Sequence, residues 1–319
     1  MRSEERIASA IREGRRFLVA SHVNPDGDAI GSSIGLSLVL ESMGKEVFTY
    51  NESAVPALYR FIPHSDRITQ ELPPEEVDVT FVLDCSTAER VGQKFKEFAG
   101  KGLVVVADHH PPSAPMEGLH LIRTEASATA ELIYDILDEL DVPLSPESAT
   151  ALYVAIMTDT GSFRFSNTTP RALEVASELL SFGANHRLIV ENIYESFPPE
   201  RFRLMAMALS TLHFLKEGKV ASVWVTRSMF QEAQANDEMT EGFVDIPRSI
   251  KGVEVAMLFR EKDGCDIRVN LRSRGKVDVG DIAAKFGGGG HPNAAGCTLK
   301  GSLMEAEECL LKALEEAMG

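Results

Sequence analysis

The segment SHVNPDGDAIGS, residues 21–32, directly follows the apolar segment RFLVA at 16–20. It places one imidazole and two carboxylates, those of His22, Asp26 and Asp28, close together in the chain. A short apolar run bounded by Pro and Gly predicts a buried strand that ends in a turn. In an open α/β sheet, ligands bind beyond the C-terminal ends of the strands. The segment therefore predicts an α/β sheet with a functional site at the end of its first strand.

The next part of the chain alternates between helical and strand patterns. Apolar residues spaced by four predict a helix over 28–44. Val-rich runs at 46–50, 77–86 and 102–110 predict parallel strands buried between helices. This alternation predicts a doubly wound α/β domain with a mostly parallel sheet. Further helical patterns occur at 127–140, 146–161 and 171–183.

The pattern changes beyond residue 190, and a chain of 319 residues exceeds what one hydrophobic core usually spans. We expect a first domain at 1–190, a linker helix at 191–214 after a Pro-Pro break, and a second domain at 215–319. Strand patterns and a closing amphipathic helix predict that the second domain is a smaller α+β domain with a mixed sheet. Its strand patterns lie at 219–226, 252–261 and 265–273, and the last two are spaced like a hairpin.

The composition is that of a globular protein, with a formal net charge of −16. This charge argues against binding of long duplex nucleic acid, whereas a small anionic substrate is compatible with it because local cations override the global sign. No apolar run reaches the roughly 20 residues of a membrane span, and the first residues lack the apolar core of a signal peptide. We therefore expect a cytoplasmic protein without a membrane partner. The cysteines form no CxxC pair and are expected to be buried thiols: Cys85, Cys265, Cys297 and Cys309.

Three further apolar segments end in a carboxylate or an imidazole. One ends in Asp84, one in Asp108, His109 and His110, and a helical segment ends in Asp159. Each of these alone is explained as well by a helix cap or a loop residue. Together they favour a metal site, because a carboxylate after a buried segment costs free energy unless it is paired, capped or bound to a metal. Oxygen and imidazole ligands without a thiolate suit Mn²⁺ or another divalent ion.

The candidate ligands are more numerous than one ion needs and are enough for two ions with a bridging carboxylate. Asp26 and Asp28 are two residues apart, so in an extended loop they would point to opposite sides, each toward a different ion. The full set is His22, Asp26, Asp28, Asp84, His109 and Asp159.

The segment GGGGH at 287–291 is a candidate phosphate-binding element. Consecutive glycines let the backbone approach a ligand closely and can form an anion nest, although a flexible loop is the simpler interpretation. Arg268 and Arg272 lie four residues apart, so in a strand they share a face, where they can hold a phosphate or stack on a base. The alternative is a solvated strand face.

Three residues of the first domain have weaker signals. Arg164 follows Asp159 closely and is a candidate phosphate clamp. Ser127 and Thr129 precede a predicted helix, where we expect them to act as its cap. The N-terminus of that helix is a candidate neighbour of the metal site.

The motifs SHVNPDGDAIGS, VLDCS, DHH and TDTG, in this order, resemble the DHH phosphoesterases. GGGGHPNAAG resembles the signature of the C-terminal domain associated with that family. The resemblance covers nearly the whole chain, and in length and domain content it is strongest to the nanoRNase group of oligoribonucleases and pAp (3'-phosphoadenosine 5'-phosphate) phosphatases.

The resemblance implies a role for each motif residue. One Mn²⁺ would take His22, Asp26 and Asp84, and a second would take Asp28, Asp84, His109 and Asp159, with Asp84 bridging. Asp108 would orient the motif, and His110 would face the scissile phosphate. The terminal nucleotide would be held by the second domain, through Gly288, Gly289, Gly290, His291, Arg268, Arg272 and Ser273.

The expected function is therefore that of a manganese-dependent phosphohydrolase. As an exoribonuclease it would degrade short single-stranded RNA or DNA to mononucleotides. As a 3'(2'),5'-bisphosphate nucleotidase it would remove a phosphate from pAp. A homodimer is compatible with the sequence. A cyclic-di-AMP or pApA phosphodiesterase is the nearest alternative. A RecJ-like single-strand exonuclease fits less well, because we expect a chain of this length to have no room for added nucleic-acid domains. A family II pyrophosphatase fits poorly, since that group lacks the GGGGH element. The non-enzymatic alternative is a nucleotide-binding sensor, which the complete ligand set disfavours.

Overall fold

The computed structural model describes residues 2–111 and 116–318. The chain forms two compact units, Met1–Ser196 and Phe197–Gly319. No helix within the described ranges is long and apolar enough to cross a bilayer. Each unit has its own sheet and its own hydrophobic core.

The first unit contains a five-stranded sheet in which all neighbouring strands are parallel, in the order β2-β1-β3-β4-β5. The predicted fold class, a mostly parallel α/β sheet with a mixed-sheet second domain, is confirmed. The fifth strand was not predicted, because it is short and carries a histidine in its middle. The strands are β1 Arg16–Ser21, β2 Glu46–Tyr50, β3 Val79–Leu83, β4 Leu103–Asp108 and β5 Leu119–Ile122.

Helices cover both faces of this sheet. Side chains alternate along each strand, so Phe81 and Leu83 of β3 pack in the larger core cluster while Val82 packs in the smaller one on the other face. Both faces are apolar, as in a sheet buried between helical layers. The helices of the first unit are α1 Ser3–Glu13, α2 Gly27–Ser42, α3 Ala88–Val91, α4 Gln93–Glu97, α5 Thr129–Leu140, α6 Pro146–Asp159, α7 Pro170–Ser181 and α8 His186–Tyr194.

Helices α2 and α6 pack closely because α2 presents a row of glycines to α6. A Cβ atom on Gly31 would collide with the carbonyl oxygen of Ala151, and one on Gly35 would lie 2.6 Å from the side chain of Leu152. A Cβ atom on Gly27 would collide with the side chain of Thr158. We call Gly27, Gly31 and Gly35 the glycine seam. The seam sets the distance between the start of α2 and the end of α6, where two of the candidate ligands lie.

The second unit contains a six-stranded mixed sheet in the order β10-β11-β9-β8-β7-β6, in which only β7 and β8 pair in parallel. The predicted hairpin is confirmed, since β8 and β9 pair antiparallel. The strands are β6 His213–Leu215, β7 Val220–Val225, β8 Val255–Glu261, β9 Asp266–Ser273, β10 Gly289–His291 and β11 Ala294–Lys300.

The helices of the second unit lie on both faces of its sheet. Apolar residues of α12 and α13 pack with one face, and those of α9 and α10 pack over β7 and β8 on the other. The helix α9, which the sequence analysis placed in a linker, therefore packs with the second unit. The predicted domain boundaries, with the first domain ending at 190 and the second beginning at 215, stay predictions. The helices are α9 Pro199–Ser210, α10 Arg227–Ala233, α11 Asp245–Arg248, α12 Val279–Ala284 and α13 Leu303–Met318.

The prediction that all cysteines are buried is wrong for two of them. Cys85 and Cys297 are buried, whereas Cys265 and Cys309 are exposed. Cys265 lies in the turn between β8 and β9, and Cys309 lies on the solvent-facing side of the amphipathic helix α13.

Candidate metal centre

Three neighbouring strands of the first unit end side by side, and each brings a candidate ligand to the same edge of the sheet. His22 follows β1, Asp84 follows β3, and His109 follows Asp108, the last residue of β4. Helix α6 ends at Asp159, as the sequence indicated. Parallel strands direct their C-terminal ends to one edge, which explains why residues far apart in sequence meet here.

The carboxylate of Asp84 lies at the centre of this cluster. Its Oδ2 lies 3.2 Å from Nε2 of His22, and its Oδ1 lies 3.4 Å from both Nε2 of His109 and Nδ1 of His110. The hydroxyl of Thr129 donates to Oδ1 at 3.2 Å. Asp84 is buried and has a left-handed φ of +60°, a conformation that costs free energy outside glycine and is often found at functional sites.

The candidate ligand atoms are close enough to surround ions. His109 Nε2 also lies 3.4 Å from Oδ2 of Asp159, which adds that residue to the cluster. The clustered acidic and imidazole groups can therefore hold a metal. Within the first unit, ligand atoms lying within 4.8 Å of one another form the groups His22, Asp26 and Asp84; Asp28, Asp84 and His109; and Asp84, Asp108 and His110.

Asp26 and Asp28 reach the cluster in a different way from the one predicted. The predicted extended loop is wrong, because Asp26 is the N-cap of α2 and Asp28 lies in its first turn. Oδ1 of Asp26 accepts hydrogen bonds from the amides of Asp28 and Ala29 at 3.1 and 3.0 Å. The N-terminus of α2 therefore holds both carboxylates at the edge of the sheet, where its dipole favours negative charge.

Asp28 also caps a second helix. Its Oδ2 accepts from the amide of Thr129 at 2.6 Å, and its Oδ1 accepts from the amide of Ala130 at 3.2 Å and from the hydroxyl of Ser32 at 2.8 Å. The predicted capping of α5 by its own side chains is wrong: the N-cap is Ala128, and it makes no side-chain cap bond. The hydroxyl of Thr129 instead binds Asp84, and that of Ser127 binds Glu131.

Burial and mutual contact shift the pKa values of the cluster. Burial alone would lower the pKa of His22 and His109, but contact with Asp84 raises these pKa values to about 9 and about 11. Burial raises the pKa of Asp28 to about 7 and that of Asp159 well above its ordinary value. Burial also acts to raise the pKa of Asp84, but hydrogen bonds with both histidines hold it well below its ordinary value. The crowded carboxylates thus need positive charge beside them, which fits a site for divalent cations.

The second histidine of the DHH motif is held by the aspartate of the same motif. Oδ1 of Asp108 lies 2.8 Å from Nδ1 of His110 and accepts from the His110 amide at 3.0 Å. Asp108 is buried, so this contact fixes the orientation of the His110 ring. Both residues also belong to one of the metal-ligand groups above, so the role of Asp108 in orienting His110 rather than binding a metal stays a prediction.

Arg164 lies in the turn after α6, outside the metal-ligand groups of the first unit. Its Nε donates to the carbonyl of Gly161 at 2.7 Å, and its side chain is exposed. The turn is unusual, because Gly161, Ser162 and Phe163 all have φ values near +60°. The role of Arg164 as a phosphate clamp stays a prediction.

In the second unit, Arg268 and Arg272 share one face of β9, as predicted, and Asn270 lies between them. Ser273 points to the opposite face, is buried, and accepts a hydrogen bond from the amide of Gly275 at 3.0 Å. The contact of Ser273 with a nucleotide stays a prediction. The alternation of side chains along β9 does not favour it, because Ser273 lies on the face opposite to Arg268 and Arg272. The register of β9, β11 and β10 also places His291 on the same face as Arg272, since both flank Ala294.

The glycine run is not a flexible loop, because its last two residues begin the edge strand β10. A Cβ atom on Gly288 would collide with the carbonyl oxygen of Gly296, and one on Gly290 with that of Ala294. These two glycines therefore allow β10 and β11 to approach closely. A Cβ atom on Gly287 or on Gly289 would meet nothing within 4 Å, so the backbone of the run is open at these two positions.

Sequence reasoning missed two residues that hold the site together. Asn51 directly follows β2, and its Nδ2 donates to the carbonyl of His22 at 2.9 Å and to the hydroxyl of Ser21 at 3.0 Å. Its position after a strand was the same signal that identified Asp84. The contact of Thr129 with Asp84 had no local signal, because it depends on how α5 packs against the sheet.

Comparison with known proteins agrees with this geometry. Residues 16–156 match the DHH family, N-terminal domain, and residues 217–319 match the DHHA1 domain. The chain is 38% identical over 94% of its length to the bifunctional oligoribonuclease and PAP phosphatase NrnA of Thermus thermophilus, covering 89% of that protein. It is 28% identical to the protein of the same name from Bacillus subtilis, with 89% of each chain covered.

A solved structure, that of an exopolyphosphatase-related protein from Bacteroides fragilis, has the same fold along nearly its whole length. The TM-score is 0.91 at 31% identity, with 98% of this chain and 96% of that chain covered. The resemblance inferred from the motifs is thereby confirmed. The chain belongs to the DHH family of phosphoesterases, with a DHHA1 domain following the DHH domain, and is a hydrolytic enzyme that acts on phosphoesters.

Proposed function

We propose that this enzyme is a manganese-dependent phosphohydrolase of the cytoplasm that degrades short oligonucleotides to mononucleotides and removes a phosphate from pAp. The observation that carries the proposal is the pair of three-residue groups that share Asp84, one with His22 and Asp26 and one with Asp28 and His109. The names of the NrnA proteins from Thermus and Bacillus support the choice of substrates.

The donor set fits two divalent ions. His22, Asp26 and Asp84 would hold one, and Asp28, Asp84, His109 and Asp159 would hold the other. All donors are oxygen or imidazole nitrogen, which suits Mn²⁺ better than a soft metal. Two such ions, when bound, lower the pKa of water and neutralise charge on phosphoryl oxygens.

The residues of the chain have distinct roles in the proposed reaction. Asp108 holds the ring of His110 through Nδ1, and the ring is proposed to carry the proton that the leaving oxygen takes up. The amides at the start of α5 hold Asp28 in place, so this carboxylate does not need to reorganise during turnover. Arg268, Arg272 and His291, which share a face of the second sheet, are proposed to bind the nucleotide.

The test is a comparison of products from several substrates in the presence of Mn²⁺. The purified chain would be incubated with pAp, dinucleotides, longer single-stranded RNA and DNA, cyclic di-AMP and pyrophosphate, with EDTA-treated enzyme as the control. We expect release of AMP from pAp and of mononucleotides from short RNA, both abolished by EDTA. Preferential cleavage of cyclic di-AMP or of long single strands would replace the proposal with one of those activities, and binding of nucleotides without any turnover would identify a sensor.

A further inference from the structure

Asn270 lies on β9 between the two arginines of the proposed nucleotide-binding face, and a buried guanidinium holds its side chain. Arg260 on the neighbouring strand β8 is only 6% exposed. Its Nη2 donates to Oδ1 of Asn270 at 2.5 Å. Its Nη1 donates to the hydroxyl of Thr240 at 2.7 Å and lies 3.0 Å from Oδ1 of Asp237. Arg260 is therefore fixed from two sides.

This contact determines which way the amide of Asn270 faces. A guanidinium can only donate hydrogen bonds, so the atom that faces Arg260 must be the amide oxygen. The Nδ2 group then points away from Arg260, toward β11. It lies 4.0 Å from the place where a Cβ atom on Gly296 would be, and it makes no hydrogen bond within the part of the chain that the structure describes.

The surface beside this Nδ2 group is bare backbone. Asn270 pairs with Gly296 on β11, which in turn pairs with Gly289 on β10, so no side chain projects from these two strands in this row. A ligand lying over Gly296 and Gly289 would reach the Nδ2 donors directly.

The chemistry of the row indicates what kind of ligand group binds there. The guanidinium groups of Arg268 and Arg272 present only donors, and the oxygen of Asn270 is turned toward Arg260 and already accepts one of its two hydrogen bonds. One Nη1 donor of Arg272 is used by the carbonyl of Leu271, and its Nε lies 3.8 Å from Oδ1 of Asp245. A nucleobase edge presents both donors and acceptors, whereas a phosphate presents acceptors only. A row in which donors predominate and two of the side chains are cationic is suited to anionic oxygen.

We propose that Asn270 is a specificity-determining residue that donates through Nδ2 to an oxygen of the phosphate that does not react, and that Arg260 is its positioning residue. This inference rests on the proposed function and deepens it by naming the contact that selects a substrate with a second phosphate.

The test is the substitution Asn270→Asp in the full-length chain. Aspartate keeps the size of the side chain and the bond to Arg260 but replaces the two donors with a charged acceptor. We expect kcat/KM for pAp to fall at least tenfold more than kcat/KM for bis-p-nitrophenyl phosphate, which has no second phosphate, with most of the change in KM. The matched control is Gln231→Glu, the same amide-to-carboxylate change on the exposed surface of α10, which is expected to leave both activities unchanged.

A binding measurement separates this inference from the proposed function. Calorimetric titration of pAp into the EDTA-treated chain should show at least tenfold weaker binding for Asn270→Asp than for the wild-type chain. If the wild type binds pAp but does not hydrolyse it with Mn²⁺, the proposed function fails while the inference stands. If Asn270→Asp binds pAp as tightly as the wild type, the inference fails whatever the activity. If the Asn270→Asp variant does not fold, the Asn270→Ser variant is used in its place. The serine side chain is too short to reach over Gly296, so the same results are expected.

The positioning role of Arg260 has its own readout. Arg260→Lys keeps the positive charge but removes the fork that binds Asn270 and Thr240 together. We expect KM for pAp to rise at least fivefold while kcat falls less than twofold. An equal fall of kcat on pAp and on bis-p-nitrophenyl phosphate would show that Arg260 only supports the fold.

Discussion

The carboxylate of Asp28 caps a helix that begins 101 residues later in the chain, through a 2.6 Å hydrogen bond from the amide of Thr129. The same carboxylate belongs to the metal-ligand group that contains Asp84 and His109. The packing of α5 against the start of α2 and the geometry of the candidate metal centre therefore depend on one side chain.

These two roles of Asp28 can be separated by Asp28→Asn. Asparagine still offers an oxygen to the amide of Thr129 and avoids burying a charge, but its NH2 group cannot accept from the amide of Ala130. The two effects oppose each other, so the free energy of unfolding of the metal-free variant should stay within about 1 kcal/mol of that of the metal-free wild type. Its affinity for Mn²⁺ should nevertheless fall by about tenfold or more, because a neutral amide is a poor ligand in place of a carboxylate. Calorimetry and metal titration check both results. Unchanged Mn²⁺ affinity would remove Asp28 from the ligand set.

Asp84→Ala should abolish turnover and lose both ions, because Asp84 belongs to every metal-ligand group found within the first unit. We expect activity below about a hundredth of the wild type, since loss of a bridging ligand costs several kcal/mol of transition-state stabilisation. Metal analysis of the purified variant and a turnover assay provide the check, with the exposed Asp66→Ala as the control. Activity above that level would contradict the two-metal assignment.

His110→Ala should keep a near-normal Mn²⁺ content while kcat falls by about a hundredfold or more, the size of effect expected for loss of a general acid. Asp108→Asn should lower kcat less, because the ring of His110 remains but its orientation is weakened. Calorimetric metal titration and steady-state kinetics measure the two quantities. If His110→Ala loses an ion, His110 is a ligand and the division of roles between the two histidines is wrong.

His291→Ala should bind Mn²⁺ normally and cleave pAp and short RNA with kcat/KM lowered at least about tenfold, which corresponds to roughly 1.4 kcal/mol. Bis-p-nitrophenyl phosphate, which has neither a base nor a second phosphate, should be affected much less. Kinetics on the three substrates test this expectation. Equal losses on all of them would place His291 in the chemical step or in folding, and no loss on any of them would leave the GGGGH segment with a purely structural role.

His213 should make the stability of the second unit depend on pH. Its Nδ1 faces the carbonyl of Thr211 at 2.9 Å and its Nε2 faces the carboxylate of Glu307 at 3.0 Å, so both ring nitrogens must donate, which only the protonated ring can do. Burial lowers its pKa, but these two contacts outweigh burial and raise it above 6.5. A raised pKa in the folded state gives stabilisation that is complete below pH 6.5 and is lost as the pH rises through the folded pKa.

Thermal melting of His213→Gln against the wild type checks this at several pH values. At low pH, we expect the free energy of unfolding of the variant to be lower than that of the wild type by no more than about 1 kcal/mol, because the ion pair is partly exposed. This difference in the free energy of unfolding should shrink at high pH. His120→Gln, which changes an exposed histidine of β5, is the control. A difference that grows with pH would mean that His213 is neutral in the folded protein.

The strand ends and the ligands that follow them were predictable because both signals are local. An apolar run that stops at a carboxylate or an imidazole is visible in sequence at Asp84, His109 and Asp159. The contact of Asp28 with Thr129 was not predictable, because it depends on how α5 packs after the sheet has formed. The assumption of an extended loop through Asp26 and Asp28 failed for a related reason: the carboxylate of Asp26 caps α2, which begins at Gly27, one residue before the start of the predicted helix.

In the second unit, alternation along β9 was enough to place Arg268 and Arg272 on one face. It was not enough to place Gly296 and Gly289 beside Asn270, because the register between strands depends on the whole sheet rather than on any one strand. A flexible loop was the simpler interpretation of the glycine run, because glycine disfavours strands by its own propensity. Its pairing with β11 overrides that preference, since only glycine fits against the neighbouring backbone.

The glycine seam works as a spacer between two carboxylates. Gly31 lies about one helical turn from Asp28, and Ala155, which contacts that glycine, lies about one turn from Asp159. Because divalent ions of different radius need different distances between their ligands, the separation of these two helices limits which ions fit. Metal preference at the proposed site would thus depend partly on residues that never touch the ion, and a single methyl group added at the seam is expected to change that preference.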